Sequence, residues 1–276
     1  MDAKSTYTKT LGSVGAKFIN ELKSQGKAVF TLDEASSLYG REKHETIKFL
    51  GELIQRGVLA RIKSGVYLVL QMGQEDTQLN NWPVIAHYLA GTKNYVLSHY
   101  SAMRLHGMTT HPLMDVFITR FERQRAKKIN NITYHFIYSK PVHFWGFSAR
   151  WITKQDKVFV SDLEKTLLDG LERPELCGGI KEVVRGIWVK QNEIDWAKLV
   201  QYSENFRTKA SVKRLGYILE LLGLGLVYLS QLAKVTVSSK DYIFLDPNGP
   251  KKGRCQSRWR LRLNINAEEL KASVWG

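Results

Sequence analysis

Three features of the sequence predict an α+β protein built as a small N-terminal head and a larger mixed α/β body. Helical spacing of apolar residues recurs before residue 56 and leads into a short alternating segment that turns at Ser64-Gly65. A polar, aperiodic stretch, QMGQEDTQLNN at 71–81, then interrupts the pattern. Beyond it, β-branched and aromatic runs give way to a succession of helical segments. With 276 residues and 43% hydrophobic content, the chain can bury one large core or two ordinary ones.

The first helix is expected over 16–25, where Phe18, Ile19 and Leu22 share a face and Gly26 stops the run. Thr31 and Glu34 stand in capping-box spacing, in which each side chain satisfies the other's free backbone N–H. The second helix therefore starts at about Thr31, points Leu32, Ala35 and Leu38 inward and ends at Gly40. A third, from Arg41 to Gln55, turns Ile47, Leu50, Leu53 and Ile54 inward and Arg41, His44, Glu45, Lys48 and Glu52 outward. Gly57 closes it, and VLARIKSGVYLVL reads as a hairpin with its tip at Lys63-Ser64-Gly65. Three helices and a hairpin in this order predict a winged helix-turn-helix. Residues 1–72 are assigned to that DNA-binding domain, 73–81 to a linker and 82–276 to a C-terminal α/β domain.

In the body, WPVIAHYLA and SHYSAMRLHG are expected as helices on either side of a strand at Tyr95 to Leu97. Strands are expected at 115–119, 131–138, 147–153 and 157–160. Ser161 and Glu164 repeat the capping-box spacing and open SDLEKTLLDGLE, which Arg173-Pro174 stops. GIKEVVRGIWVKQ, DWAKLVQYSENF, KASVKRLGYILELLG and YLSQLAK follow as helices, and a strand, a Pro/Gly turn and a last strand close the chain.

The charge balance, 41 Lys and Arg against 26 Asp and Glu, leaves +15 and predicts attraction to polyanions. Nucleic acid, an anionic protein and an anionic membrane each fit it. The two cysteines, Cys177 and Cys255, lack CxxC spacing, so neither a disulfide framework nor a zinc knuckle is implied, and a reducing cytoplasm is expected. The N-terminus lacks the apolar core of a signal peptide, and the longest apolar stretch, LGYILELLGLGLVYL, carries Glu220 and is too short to span a bilayer. No membrane partner is expected.

The start of a recognition helix lies nearest the base edges, which singles out Arg41, Lys43, His44 and Lys48; Arg61, Lys63 and Ser64 in the wing suit phosphates. The plain alternative is a solvated charged face, shared with Glu42 and Glu45. In the body, Arg120, Arg123, Arg125, Lys127 and Lys128 form a basic run expected in a loop. Lys209, Lys213 and Arg214 form a basic flank beside the apolar stripe of Leu215, Ile218, Leu219 and Leu222. Both groups are candidate phosphate or partner contacts.

Asp162, Glu164 and Asp169 invite a metal-dependent nuclease reading. Against it, Glu164 is expected to cap a helix and Asp162 suits the first turn. His99, His106 and His111 are spaced by seven and five, neither of which is the four of a helical zinc pair. No phosphate-binding loop, GxGxxG or GxSxG occurs. The chain is therefore expected to be no enzyme, with no catalytic residue, cofactor or metal.

Several blocks in order, FTLDEASSLYG, LGELIQRGVLARIKSGVYLV, YVLSHYSAMRLHGM, VFVSDLEKTLLDGLERPELCGGIKEVV, KASVKRLGYILELLGL and LDPNGPKKGRCQSRWRLRLNIN, make the chain similar to the AbiEi family of antitoxins. That resemblance implies a winged helix-turn-helix that represses a toxin-antitoxin operon through inverted repeats in double-stranded DNA. It also implies a C-terminal domain that counteracts a nucleotidyltransferase-like toxin, and a role in abortive phage resistance. Within it, Arg41, Lys43, His44 and Lys48 fall on the recognition helix and Arg61 and Lys63 on the wing. Two alternatives stay open on the residues alone: a nuclease that uses the head for targeting, and a scaffold whose winged helix binds protein.

Overall fold

The computed structural model describes residues 11–70, 81–91, 94–129 and 131–275. The chain divides into two compact units, 1–93 and 94–276. The expected linker lies, apart from Asn81, outside the described residues, and the helix that follows it, Trp82–Ala90 (α4), falls in the first unit.

In the first unit, helix α1 (Gly12–Ser24) buries Phe18, Ile19 and Leu22 as its spacing requires. Strand β1 (Val29–Thr31) follows; at three residues it is too short for alternation to reveal it. Helix α2 (Leu32–Tyr39) opens on the capping box that Thr31 and Glu34 predict: Glu34 N–H donates to Thr31 Oγ1 at 3.3 Å and Thr31 N–H donates to Glu34 Oε2 at 2.7 Å. Gly40 ends it in the left-handed region, at φ 67°. Helix α3 (Lys43–Gln55) and the hairpin strands β2 (Leu59–Lys63) and β3 (Val66–Val69) complete the head. The sheet is antiparallel in the order β1-β3-β2, with an irregularity between Arg61 and Lys63. Phe18, Phe30, Leu50, Leu53, Leu59 and Tyr67 form its core. One inward assignment is corrected. Ile47 is half exposed, because α3 buries Thr46 instead, whose hydroxyl donates to the Glu42 carbonyl at 3.0 Å.

The second unit is built on a six-stranded mixed sheet. In spatial order its strands are Lys127–Ile129 (β6), Ile132–Tyr138 (β7), Asp115–Arg120 (β5), Tyr95–Leu97 (β4), Lys157–Ser161 (β9) and Phe147–Trp151 (β8). Helices follow at His99–Leu105 (α5), Leu163–Glu172 (α6), Ile180–Lys190 (α7), Trp196–Asn205 (α8), Lys209–Leu222 (α9) and Leu229–Thr236 (α10). A three-stranded sheet of Ile243–Phe244, Arg254–Gln256 and Leu261–Leu263 and a helix at Ala267–Ala272, which the sequence pattern does not reveal, end the chain. Helix α9 meets the small sheet at close range. An added Cβ on Gly216 would lie 2.1 Å from the Trp259 ring, which is fully buried and donates its indole N–H to Glu220 at 2.6 Å.

The second expected capping box does not form. Ser161 ends β9, and Asp162 caps α6 by accepting from Lys165 N–H at 2.9 Å. Glu164 is buried, and its carboxylate accepts from Asp195 N–H at 3.0 Å and pairs with Lys198 at 2.8 Å. Among the described residues, no helix is long and apolar enough to cross a membrane.

Candidate nucleic-acid interface

The head carries two exposed polar segments, the junction of α2 and α3 and the hairpin tip. Gly40 reverses the chain, Arg41 and Glu42 form the turn, and α3 begins at Lys43, so Arg41 precedes the helix on which the sequence places it. The buried Thr46 fixes this turn through its bond to the Glu42 carbonyl. From Arg41 to Lys48 every residue except Thr46 is exposed. Ile47 stands outward between His44 and Lys48, one turn apart on the same face. The exposure of its apolar side chain on a polar face is what sequence reasoning missed, because helical periodicity assigns an isoleucine to the core.

The charges on this face are mixed. Lys43 Nζ lies 2.6 Å from Asp33 on α2, and His44 Nδ1 lies 3.3 Å from Glu42. Both pairs are well exposed, and such pairs contribute about 0–1 kcal/mol, so a stronger anion displaces them readily. In the hairpin, Arg61 is exposed and donates from Nη2 to Ser64 Oγ at 3.3 Å. The tip is tied to the helices: Leu32 N–H donates to the Gly65 carbonyl at 2.8 Å. Gly65 sits at φ 71°, a turn conformation that a side chain would strain. The structure thus gathers Arg41, Lys43, His44 and Lys48 around the start of α3, and carries Arg61, Lys63 and Ser64 on the hairpin whose tip bonds to the opposite end of α2.

The basic groups of the body fare differently. Arg120 ends β5 with its guanidinium 2.6 Å from Glu122 and over the Phe136 ring; Arg123 stacks over Tyr138, while Arg125 and Lys128 are exposed. Lys127 and Lys128 belong to β6 rather than to a loop. Lys213 and Arg214 do not form a wet flank; both are buried. Lys213 donates to the Asp241 carbonyl at 2.5 Å, and Arg214 donates to the carbonyls of Leu171 at 2.7 Å and Phe244 at 3.2 Å. Burial lowers the Arg214 pKa to about 10, which leaves it charged at neutral pH. Lys209 closes the end of α8, donating to the Glu204 carbonyl at 3.0 Å. Lys213 and Arg214 thus hold the fold together instead of offering charge to a phosphate, while Lys209 is half-buried at a helix end.

The carboxylates that suggested a nuclease are likewise engaged. Asp162 accepts from Tyr202 OH at 2.8 Å and pairs with Lys198 at 3.0 Å, and Asp169 pairs with Lys165 at 2.5 Å. Burial works to lower the Lys198 pKa, but its bonds to Glu164 and Asp162 outweigh burial and hold it above the usual lysine range. No group of three His, Cys, Asp or Glu among the described residues is arranged to hold a metal ion. The histidines are dispersed. His99 is buried, with Nδ1 2.9 Å from Ser98 Oγ and a left-handed backbone at φ 52°, and burial pushes its pKa down to about 4. His106 bonds the Ser161 carbonyl at 2.7 Å, and His111 lies 3.7 Å from Glu182.

His99 borders a small cleft that also touches Thr119, Trp145, Lys165, Asp169 and Arg207. Its charged groups are satisfied internally: Lys165 pairs with Asp169 and sits over the Trp145 and Phe206 rings, and Arg207 Nε lies 2.8 Å from both carboxylate oxygens of Glu172.

No family model matches the chain, and no curated protein matches it. Among solved structures, the fold is similar to that in the crystal structure of the RV2827C protein from Mycobacterium tuberculosis, with a TM-score of 0.69 over 97% of each chain. At 13% identity that likeness is one of fold alone.

Proposed function

We propose that the head is a winged helix-turn-helix that reads double-stranded DNA, and that the chain is an AbiEi-type antitoxin repressing its own operon. The observation that carries the reading is the joint exposure of Arg41, Lys43, His44 and Lys48 around the start of α3, in a head whose hairpin tip is tied to the start of α2. In this reading α3 enters the major groove N-terminus first, Arg41 takes a guanine edge, and Arg61, Lys63 and Ser64 lie along the phosphates. Ile47 adds an apolar contact suited to a thymine methyl group. Asp33, Glu42 and Glu45 on the same face disfavour loose binding to any phosphate array, so a matched site is required.

The antitoxin part of the reading rests on the sequence resemblance, with a nucleotidyltransferase-like toxin as the partner of the body. The toxin is countered directly or indirectly; the engagement of Asp162, Glu164 and Asp169 in caps and ion pairs speaks against the nuclease alternative. The test is a gel-shift titration against inverted repeats upstream of the protein's own gene. Binding should fall steeply with salt, log K dropping by about 0.9 per phosphate neutralised, and scrambled DNA should bind far more weakly. Equal affinity for scrambled DNA removes the operator reading. A neighbouring reading frame for a nucleotidyltransferase-like protein, whose toxicity the chain relieves on co-expression, tests the second half.

A further inference from the structure

The six-stranded sheet ends on β8, and the hydrogen-bond parity of that strand is fixed from both ends. The Gly146 carbonyl accepts from Asp162 N–H at 2.9 Å, and Ile152 N–H donates to the Asp156 carbonyl at 3.0 Å. Antiparallel pairing alternates, so Ser148 and Arg150 spend their backbone groups on β9 while Phe147, Ala149 and Trp151 turn theirs away from it. Residues 148–151 are all exposed. Natural sheets blunt such edges with proline, bulges, very short strands or charged side chains, and of these β8 has the charge of Arg150. The sequence FSARW has no proline, and its register with β9 runs without a shift. The opposite edge, β6, carries Lys127 and Lys128.

The surroundings of β8 are basic. Residues 147–158 contain Arg150, Lys154 and Lys157 against Asp156, whose carboxylate accepts from Thr153 Oγ1 at 2.7 Å; Arg150 is exposed and donates from Nη1 to the Leu105 carbonyl at 2.8 Å. Trp151 is 61% exposed, with Lys157 5.2 Å from its ring centroid.

We propose that β8 is a docking edge for an extended acidic segment of a partner protein. The segment adds a strand through main-chain bonds to Phe147, Ala149 and Trp151, sets Asp or Glu beside Ser148 and Arg150, and lays apolar residues against Ala149 and Trp151. Charge selects this occupant over a second copy, which would bring two basic edges face to face. The site is independent of DNA binding by the head and stands if that reading fails.

The experiment uses the full chain and the peptide Ac-Val-Glu-Val-Glu-Val-Glu-Val-amide, with its Lys counterpart as control, read by amide-resolved hydrogen exchange and titration. Expected is saturable binding that slows exchange at Phe147, Ala149 and Trp151, while Ser148 and Arg150 are protected already. Ala149→Pro, which deletes an outward donor, should abolish binding with the melting temperature kept, and Arg150→Glu should weaken it about tenfold. If Ala149→Pro does not fold, Arg150→Glu and Trp151→Ala read the same edge. The proposal is overturned if the acidic peptide does not bind, if the Lys peptide binds as well, or if the edge variants bind undiminished. Protection that grows with protein concentration alone overturns it too, in favour of a second copy on the edge.

Discussion

Arg214 and Arg123 carry the same side chain and have opposite fates. Arg214 is buried with donors committed to two carbonyls, so Arg214→Leu leaves Leu171 and Phe244 with unmet acceptors. Urea unfolding should show a loss of about 2–4 kcal/mol, against less than about 0.5 kcal/mol for Arg123→Leu on the surface. A loss below that surface figure at Arg214 means its bonds are dispensable. Sequence could not separate the two, because a helical wheel assigns any cation to the wet side and the carbonyls that hold Arg214 come from Leu171 and Phe244, remote in the chain. At the proposed DNA face, Arg41→Ala should cost about 1–3 kcal/mol and relax base preference, whereas Lys63→Ala should weaken every sequence alike. Equal behaviour of the two variants in gel shifts removes the division into base and phosphate contacts.

At the scale of elements, local signals were legible and relayed ones were not. Thr31 and Glu34 fix the start of α2 because both halves of the box lie within one turn. The same spacing at Ser161 and Glu164 misleads, since Glu164 turns to Asp195 and Lys198, a helix away. Thr31→Ala should therefore cost about 1 kcal/mol, while Ser161→Ala should not show a capping loss. Helix α9 sets two effects against each other at Gly216. Alanine gains about 1 kcal/mol of helix propensity, but its Cβ would fall 2.1 Å from the buried Trp259 ring. Overpacking costs typically 1–3 kcal/mol, so Gly216→Ala should lower the melting temperature; a rise would mean that Trp259 moves aside freely.

For the whole molecule, net charge and α+β character were readable from composition and pattern, and the likeness to RV2827C bears on the fold over the same length. The acid limb of stability follows from groups that composition cannot rank. His99 has a usual value of 6.5 and a folded value of about 4, so the unfolded chain binds its proton first. Its contribution is complete above pH 6.5 and is lost as pH falls toward 4. Glu34 is also depressed: burial raises its pKa, but bonds from Lys27 and Thr31 outweigh burial and hold it below 4.5, so its share is lost further into acid. Denaturant midpoints between pH 7 and 4 should fall, and less steeply in His99→Gln; an unchanged slope in that variant would place the proton uptake elsewhere. The bond from Leu32 N–H to the Gly65 carbonyl has a mechanical consequence for the proposed DNA reader. It ties the hairpin tip to the start of α2, so that in the proposed reader the hairpin and the helix pair would act as the jaws of a caliper. Such a gauge measures the distance from a groove floor to its phosphate ridge before any base is touched, and so would prefer the wide major groove of B-form DNA over the narrow one of duplex RNA.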